Sequence, residues 1–189
     1  MAGATRALFA IAAFVIAFLG SEGRAQHAAS LPPAVVVVRH ADTSPDIPGD
    51  RPLNAEGVRR SRDLLAALRN MRFDGVITTQ LRRTRQTAQP LADAMGLAPE
   101  VVPLMPSQEQ AHLRAIGEAI RKHKSGAVLV VGHSNTVPLI IQALGGPRVP
   151  QICETVFDNL FVLMPADGKV QLLHARYGAP SPPSGPGCP

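Results

Sequence analysis

The sequence contains no tryptophan, one tyrosine and two cysteines, and aromatic residues make up 4% of its 189 positions. A surface that stacks nucleobases needs aromatic rings, so this shortage argues against a single-stranded nucleic-acid binder. Cys153 and Cys188 match neither a thiolate metal motif nor a Cys-x-x-Cys redox pair. No apolar run is long enough to span a bilayer. The stretch Leu8–Leu19 has 12 residues, where a spanning helix needs about 20. Acid is also short, with 14 Asp and Glu against 19 Lys and Arg and a formal charge of +5. Such a balance favours anionic partners: nucleic acid, an anionic membrane surface or a phosphorylated small molecule.

The short apolar run has a different use. Arg6 precedes it and Gly23-Arg24-Ala25 follows, which predicts a signal peptide over residues 1–25 with cleavage before Gln26. An uncleaved anchor is the competing reading. No cysteine lies near the cleavage point, so lipid anchoring is not expected. The mature protein is expected in the periplasm or secreted, with no stable membrane insertion. In an oxidising compartment Cys153 and Cys188 can form a disulfide, and two unpaired thiols are the alternative. Residues 26–177 have the length of one domain with one core. From Gly178 onward the chain is Pro, Gly and Ser, which predicts a disordered tail over 178–189.

What is present is a pattern of alternating strands and helices. Val35-Val36-Val37-Val38-Arg39 is a run of β-branched residues with no polar face, the mark of a strand covered on both sides. Asn54 predicts the N-cap of a helix to about Arg69, with Val58, Leu65 and Leu68 on its buried face. Phe73–Thr78 reads as a second strand. A helical pattern follows from Leu81 through Thr84, Ala88, Leu91 and Met95. Pro90 is expected to kink or split that helix, and Gly96 to end it. Glu100–Val102 is a short third strand. Ser107-x-x-Gln110 predicts a capping box opening a helix that buries Leu113, Ile116 and Ile120, with Lys122 and Lys124 at its end. Ala127–Val131 is a second fully buried strand, followed by a helix to Leu144. Leu160–Met164 and Lys169–Leu173 form a hairpin about Asp167-Gly168. Together these predict a three-layer α/β/α sandwich with a mostly parallel central sheet.

In a parallel sheet the carboxyl ends of the strands share one edge, where such folds bind ligands. The first strand delivers Arg39 and His40 there, the second leads through Thr78-Thr79-Gln80 to Leu81-Arg82-Arg83, and the fourth delivers His133. Two imidazoles and at least two guanidiniums converge. Such a group of cations repels a metal ion unless carboxylates intervene, and guanidinium forks match phosphate oxygens. Neighbouring positive charge keeps a histidine neutral and nucleophilic.

Four ordered motifs now stand together: Arg39-His40 after a strand, Arg51-Pro52-Leu53-Asn54-Ala55-Glu56-Gly57, Leu81-Arg82-Arg83-Thr84-Arg85-Gln86-Thr87-Ala88, and Gly132-His133-Ser134-Asn135. Over residues 34–164 the chain resembles the first branch of the histidine phosphatase superfamily, with its phosphoglycerate mutase-like fold. The resemblance implies an exported phosphomonoesterase that needs no metal or cofactor and acts on a phosphorylated small molecule, not on nucleic acid. It implies His40 as the nucleophile that becomes phosphohistidine, and Arg39, Arg83 and His133 as the phosphoryl pocket. It implies a carboxylate after the third strand as proton donor; Glu109 lies in that region, with Glu154 and Asp158 as rivals. Asp42 and Thr43 flank the nucleophile and are expected to line the pocket. Ser134 and Asn135 are expected to cap the following helix, whose amides can bind an anion. Arg82 and Arg85 read as surface charges, and His27, His112, His123 and His174 as structural or solvent-facing. A different class remains open: a phosphate-ligand-binding or regulatory protein with the same pocket and little turnover.

Overall fold

Four consecutive valines offer no side that tolerates water, so their strand must lie inside a covered sheet. In the computed structural model, which describes residues 31–44 and 46–182, β1 (Val35–Arg39) is buried at every position. The expected signal segment, its cleavage point at Gln26, and Cys188 lie outside the described residues. The other strands are β2 (Phe73–Thr78), β3 (Glu100–Val101), β4 (Ala127–Gly132), β5 (Asn159–Ala166) and β6 (Lys169–Arg176). They form one sheet in the order β3-β2-β4-β1-β5-β6. The first four members in that order run parallel, and β5 and β6 run antiparallel to their neighbours.

The register fixes the functional edge. Arg39 pairs with Gly132 between β1 and β4, and Thr78 pairs with Val131 between β2 and β4. Three chain segments therefore leave the sheet side by side. The helices are α1 (Ala55–Leu68), α2 (Arg82–Met95), α3 (Glu109–Arg121) and α4 (Thr136–Ala143). Successive valines of β1 alternate between two cores. Val36 and Val38 pack with Leu64, Leu68, Ala88 and Leu91 under α1 and α2. Val35 and Val37 pack with Ile116, Ile120, Ile140 and Ile141 under α3 and α4. Each buried valine removes apolar surface worth about 1.5–3 kcal/mol from water. The predicted three-layer α/β/α sandwich with a mostly parallel sheet is what forms.

Local details differ from expectation where tertiary contacts decide them. Asn54 does cap α1, its side chain accepting from the Gly57 amide at 2.9 Å. Gly57 also lets α1 close on the loop after β1, because a Cβ there would lie 2.1 Å from the Asp42 carbonyl oxygen. Val58, expected on the buried face, is exposed, and Arg60 and Leu64 are buried instead. Pro90 does not split α2, which runs unbroken past it and ends at left-handed Gly96. No capping box forms before α3. Ser107 adopts φ +59°, and Gln108 at the N-cap makes no side-chain hydrogen bond. The β5–β6 turn has Asp167 and Gly168 both at positive φ, the geometry that matches strand twist in a two-residue hairpin.

The tail is held further than composition suggests. Ala179 accepts from Arg60 Nη1 at 2.7 Å, and Ser181 Oγ accepts from the Phe157 amide at 2.8 Å. The Ser181 amide donates to Asp158 at 3.2 Å. The disorder expected from Gly178 therefore does not begin there. Cys153 is disulfide-bonded, and no described cysteine is free. Among the described residues no helix is long and apolar enough to cross a membrane.

Candidate active site

Arg39 ends β1 at 3% exposure. A buried cation needs acceptors, and the loop before β5 supplies them. Nη1 donates to the Cys153 carbonyl at 2.7 Å and the Val156 carbonyl at 3.0 Å, and Nη2 to Glu154 Oε2 at 2.7 Å. The guanidinium carbon lies 4.1 Å from the centre of the Phe157 ring, a cation–π contact. Its Nε is buried without a partner. An orphaned charged donor in a native protein calls for a ligand or a function.

His40 follows, its amide donating to the Gly132 carbonyl at 2.9 Å across the sheet edge. Its Nδ1 lies 2.8 Å from the Ala41 carbonyl oxygen. A carbonyl only accepts, so Nδ1 carries the hydrogen and Nε2 carries the lone pair. Ala41 is itself pinned, since its amide donates to Thr87 Oγ1 at 2.9 Å. Burial pushes the His40 pKa down to about 3, and Arg39, His133 and Arg83 push the same way against the Ala41 carbonyl. The imidazole is neutral at neutral pH.

His133 leaves β4 at 5% exposure, its ring centroid 5.4 Å from that of His40. Burial first, then Arg83, His112 and Arg39, lower its pKa to about 3 as well. The turn into α4 is closed by Thr136 Oγ1, which accepts from the His133 amide at 2.9 Å. That contact replaces the expected cap: neither Ser134 nor Asn135 caps α4 with its side chain.

Sequence reasoning missed Thr79, which lies 3.3 Å from His133 Nε2. The Thr84 hydroxyl donates to the Leu81 carbonyl at 2.9 Å, and Thr79 and Thr84 hydroxyls lie 2.9 Å apart. Thr84 Oγ1 also lies 3.2 Å from the Thr79 carbonyl, and either hydroxyl of the pair can donate, so Thr79 positions the His133 ring in either of its tautomers. The available signal was the hydroxyl pair Thr78-Thr79 at the end of β2.

Arg83, in the first turn of α2, is half-buried, while Arg82 and Arg85 are exposed. Burial lowers the Arg83 pKa, with Asp50, Arg51 and Glu154 as its charged neighbours. Ser134 donates to Glu154 Oε1 at 2.5 Å. One carboxylate thus spans Ser134 and Arg39.

The remaining candidates are placed differently. The Asp42 carboxylate is engaged by buried Arg60 Nε at 2.6 Å. Thr43 bridges Leu53, and its carbonyl accepts from Asn54. Glu109 accepts from Asn135 at 3.3 Å and lines a cleft with Gln142 and Arg148, away from the histidines. Asp158 is buried against Arg176 at 2.7 Å. Burial opposes its ionisation, but the Arg176 and Ser181 hydrogen bonds prevail and hold its carboxyl below the usual range. His112 is buried with Nδ1 3.0 Å from the Pro103 carbonyl, and His174 stacks on Phe161 at 4.5 Å.

Two neutral imidazoles and two guanidiniums thus stand at the carboxyl edge of the parallel sheet, an arrangement whose charge suits an oxyanion. The profile of the histidine phosphatase superfamily, branch 1, matches residues 35–106 of the chain. The chain is similar in structure to a chain assigned as the phosphohistidine phosphatase SixA of Agrobacterium tumefaciens, with 26% identity, a TM-score of 0.57, and coverage of 79% of this chain and 99% of that one. A chain assigned as an alpha-ribazole-5'-P phosphatase from Escherichia coli shares the fold at 17% identity and TM-score 0.58, over 76% and 96% of the two chains. The phosphoglycerate mutase of Bacillus anthracis does so at 15% identity and TM-score 0.54, over 78% and 94%. No curated protein matches the chain by sequence.

Proposed function

We propose that the protein is an exported phosphomonoesterase that hydrolyses a phosphate ester through a phosphohistidine at His40, with no metal required. The observation that carries this reading is the state of His40: neutral, with Nδ1 held by Ala41 and Nε2 presented as the lone pair. Nε2 attacks phosphorus and the ester oxygen leaves. Arg39, with its unpartnered Nε, Arg83 and His133 hold the phosphoryl oxygens and stabilise the charge of the transition state. Water then attacks phosphorus, the P–N bond breaks, and His40 returns to its neutral form. Export is supported by the disulfide at Cys153, a bond favoured in oxidising compartments.

The test is hydrolysis of an aryl phosphate in chelator-treated buffer, followed by acid-labile trapping of the phosphoenzyme. His40→Ala should abolish both turnover and trapped phosphate. Equal activity in the variant would overturn the nucleophile assignment, and full dependence on an added divalent metal would overturn the metal-free mechanism. The secreted protein should begin at Gln26 by mass.

A further inference from the structure

An ester's leaving oxygen departs as an alkoxide unless a proton reaches it. Most acidic side chains around the pocket are committed elsewhere. Asp42 is held by Arg60, Asp158 by Arg176 and Ser181, and Asp50 accepts from the Arg82 amide at 2.8 Å. Glu109 accepts from Asn135 at 3.3 Å. Glu154 differs. Its two oxygens accept from Arg39 and from Ser134, so in the empty pocket it occupies donors that an incoming phosphate would use.

Resting on the phosphoenzyme reading above, we propose that Glu154 exchanges with phosphate at Arg39 and then protonates the leaving oxygen. In-line displacement sets the leaving oxygen across phosphorus from His40 Nε2. His40 is 7% and Arg39 3% exposed, so the organic group has room only toward solvent. The Glu154 side chain, 75% exposed, stands on that side. Its backbone is held on both sides, because Arg39 Nη1 donates to the carbonyls of Cys153 and Val156. The side chain alone has to swing.

The charges drive the exchange. A phosphate dianion on Arg39 takes the cation from the Glu154 carboxylate and sets like charge beside it, and Glu154 takes up a proton from solvent as substrate binds. In the first step the His40 Nε2–P bond forms and the P–O bond to the organic group breaks. The Glu154 proton goes to the departing oxygen, giving the alcohol. In the second step water attacks phosphorus, the Glu154 carboxylate takes a proton from that water, and the P–N bond breaks. Phosphate is released, His40 is neutral again, and Glu154 returns its proton to solvent as it pairs with Arg39 once more.

The experiment compares kcat/KM, which reports the steps up to phosphoenzyme formation, on an alkyl phosphate and on p-nitrophenyl phosphate. Nitrophenolate leaves without a proton, so Glu154→Gln should not lower its kcat/KM and should raise it by about the factor by which phosphate binding tightens. On the alkyl phosphate the same variant should lose about 10²-fold or more. Inorganic phosphate should inhibit Glu154→Gln at a lower concentration than wild type, because its competitor at Arg39 has lost its charge. Equal losses on both substrates, no loss on the alkyl phosphate, or weaker inhibition by phosphate would each overturn the proposal. A selective alkyl loss in Glu109→Gln would assign the role to Glu109 instead. Activity surviving in His40→Ala would mark failure of the phosphoenzyme reading, separately from that of Glu154.

Discussion

Lowering the pH from 7 to 5 should destabilise the protein through its two pocket histidines. Both have folded pKa values near 3, against an ordinary value of 6.5. The sign follows from proton counting. Between those limits the unfolded chain binds protons that the folded chain refuses, so stability rises with pH and is lost as pH falls through 6.5. At pH 5 an unfolded histidine with the ordinary value is mostly protonated, which favours unfolding by ~2 kcal/mol per histidine. At pH 7 the corresponding figure is about 0.2 kcal/mol. The pair together therefore costs ~4 kcal/mol between pH 7 and 5. This magnitude depends little on the folded values, since both histidines are still neutral at pH 5. For a domain of this size ~4 kcal/mol corresponds to roughly 8–15 °C in Tm. His112 and His174 are also lowered by burial and add to the wild-type slope. The informative measurement is thus the difference between wild type and His133→Gln, followed by calorimetry or circular dichroism at each pH. The variant should lose about half of the pair's effect, a Tm fall smaller by roughly 4 °C or more. Parallel curves for the two proteins would refute the claim that His133 is held neutral by the fold. The paired carboxylates Asp74 and Asp158 are held below their ordinary value, so their losses come below the same window.

Thr79→Val removes the hydroxyl beside His133 Nε2 while keeping the volume, and should lower kcat about 10-fold with the Tm changed little; a rise in KM alone would mean that Thr79 does not set the His133 orientation. Ser181→Ala removes the hydroxyl that accepts from the Phe157 amide and keeps both cysteines. The substitution should cost about 1–3 kcal/mol in denaturant unfolding, and an unchanged midpoint would show that the contact carries no stability.

Periodicity and residue type were enough to place the strands, the sheet edge and the four groups His40, Arg39, Arg83 and His133 that meet there. The valine run is legible because a strand buried on both faces has no alternative composition. The turn at Asp167-Gly168 and the caps at Asn54 and Gly96 are legible because each depends on backbone conformation within a few residues. Val58, Pro90 and Ser107 misled for the converse reason. Which face of α1 is covered, and whether one missing amide matters in α2, are settled by packing against distant chain.

The same division runs through the candidate site. A sequence can show that two histidines and two arginines reach one edge, because parallel register brings equivalent strand ends together. It cannot show that Ala41 takes the hydrogen of His40 Nδ1, that Thr79 holds His133, or that Glu154 sits on Arg39 while Asp158 is locked to Arg176. Those are pairings between segments far apart in the chain, and each is chosen by which buried donor is left without water. The cations were written locally in the sequence; the partner each one found, and hence the protonation state of the pocket, was decided only when the sheet and its loops closed around them.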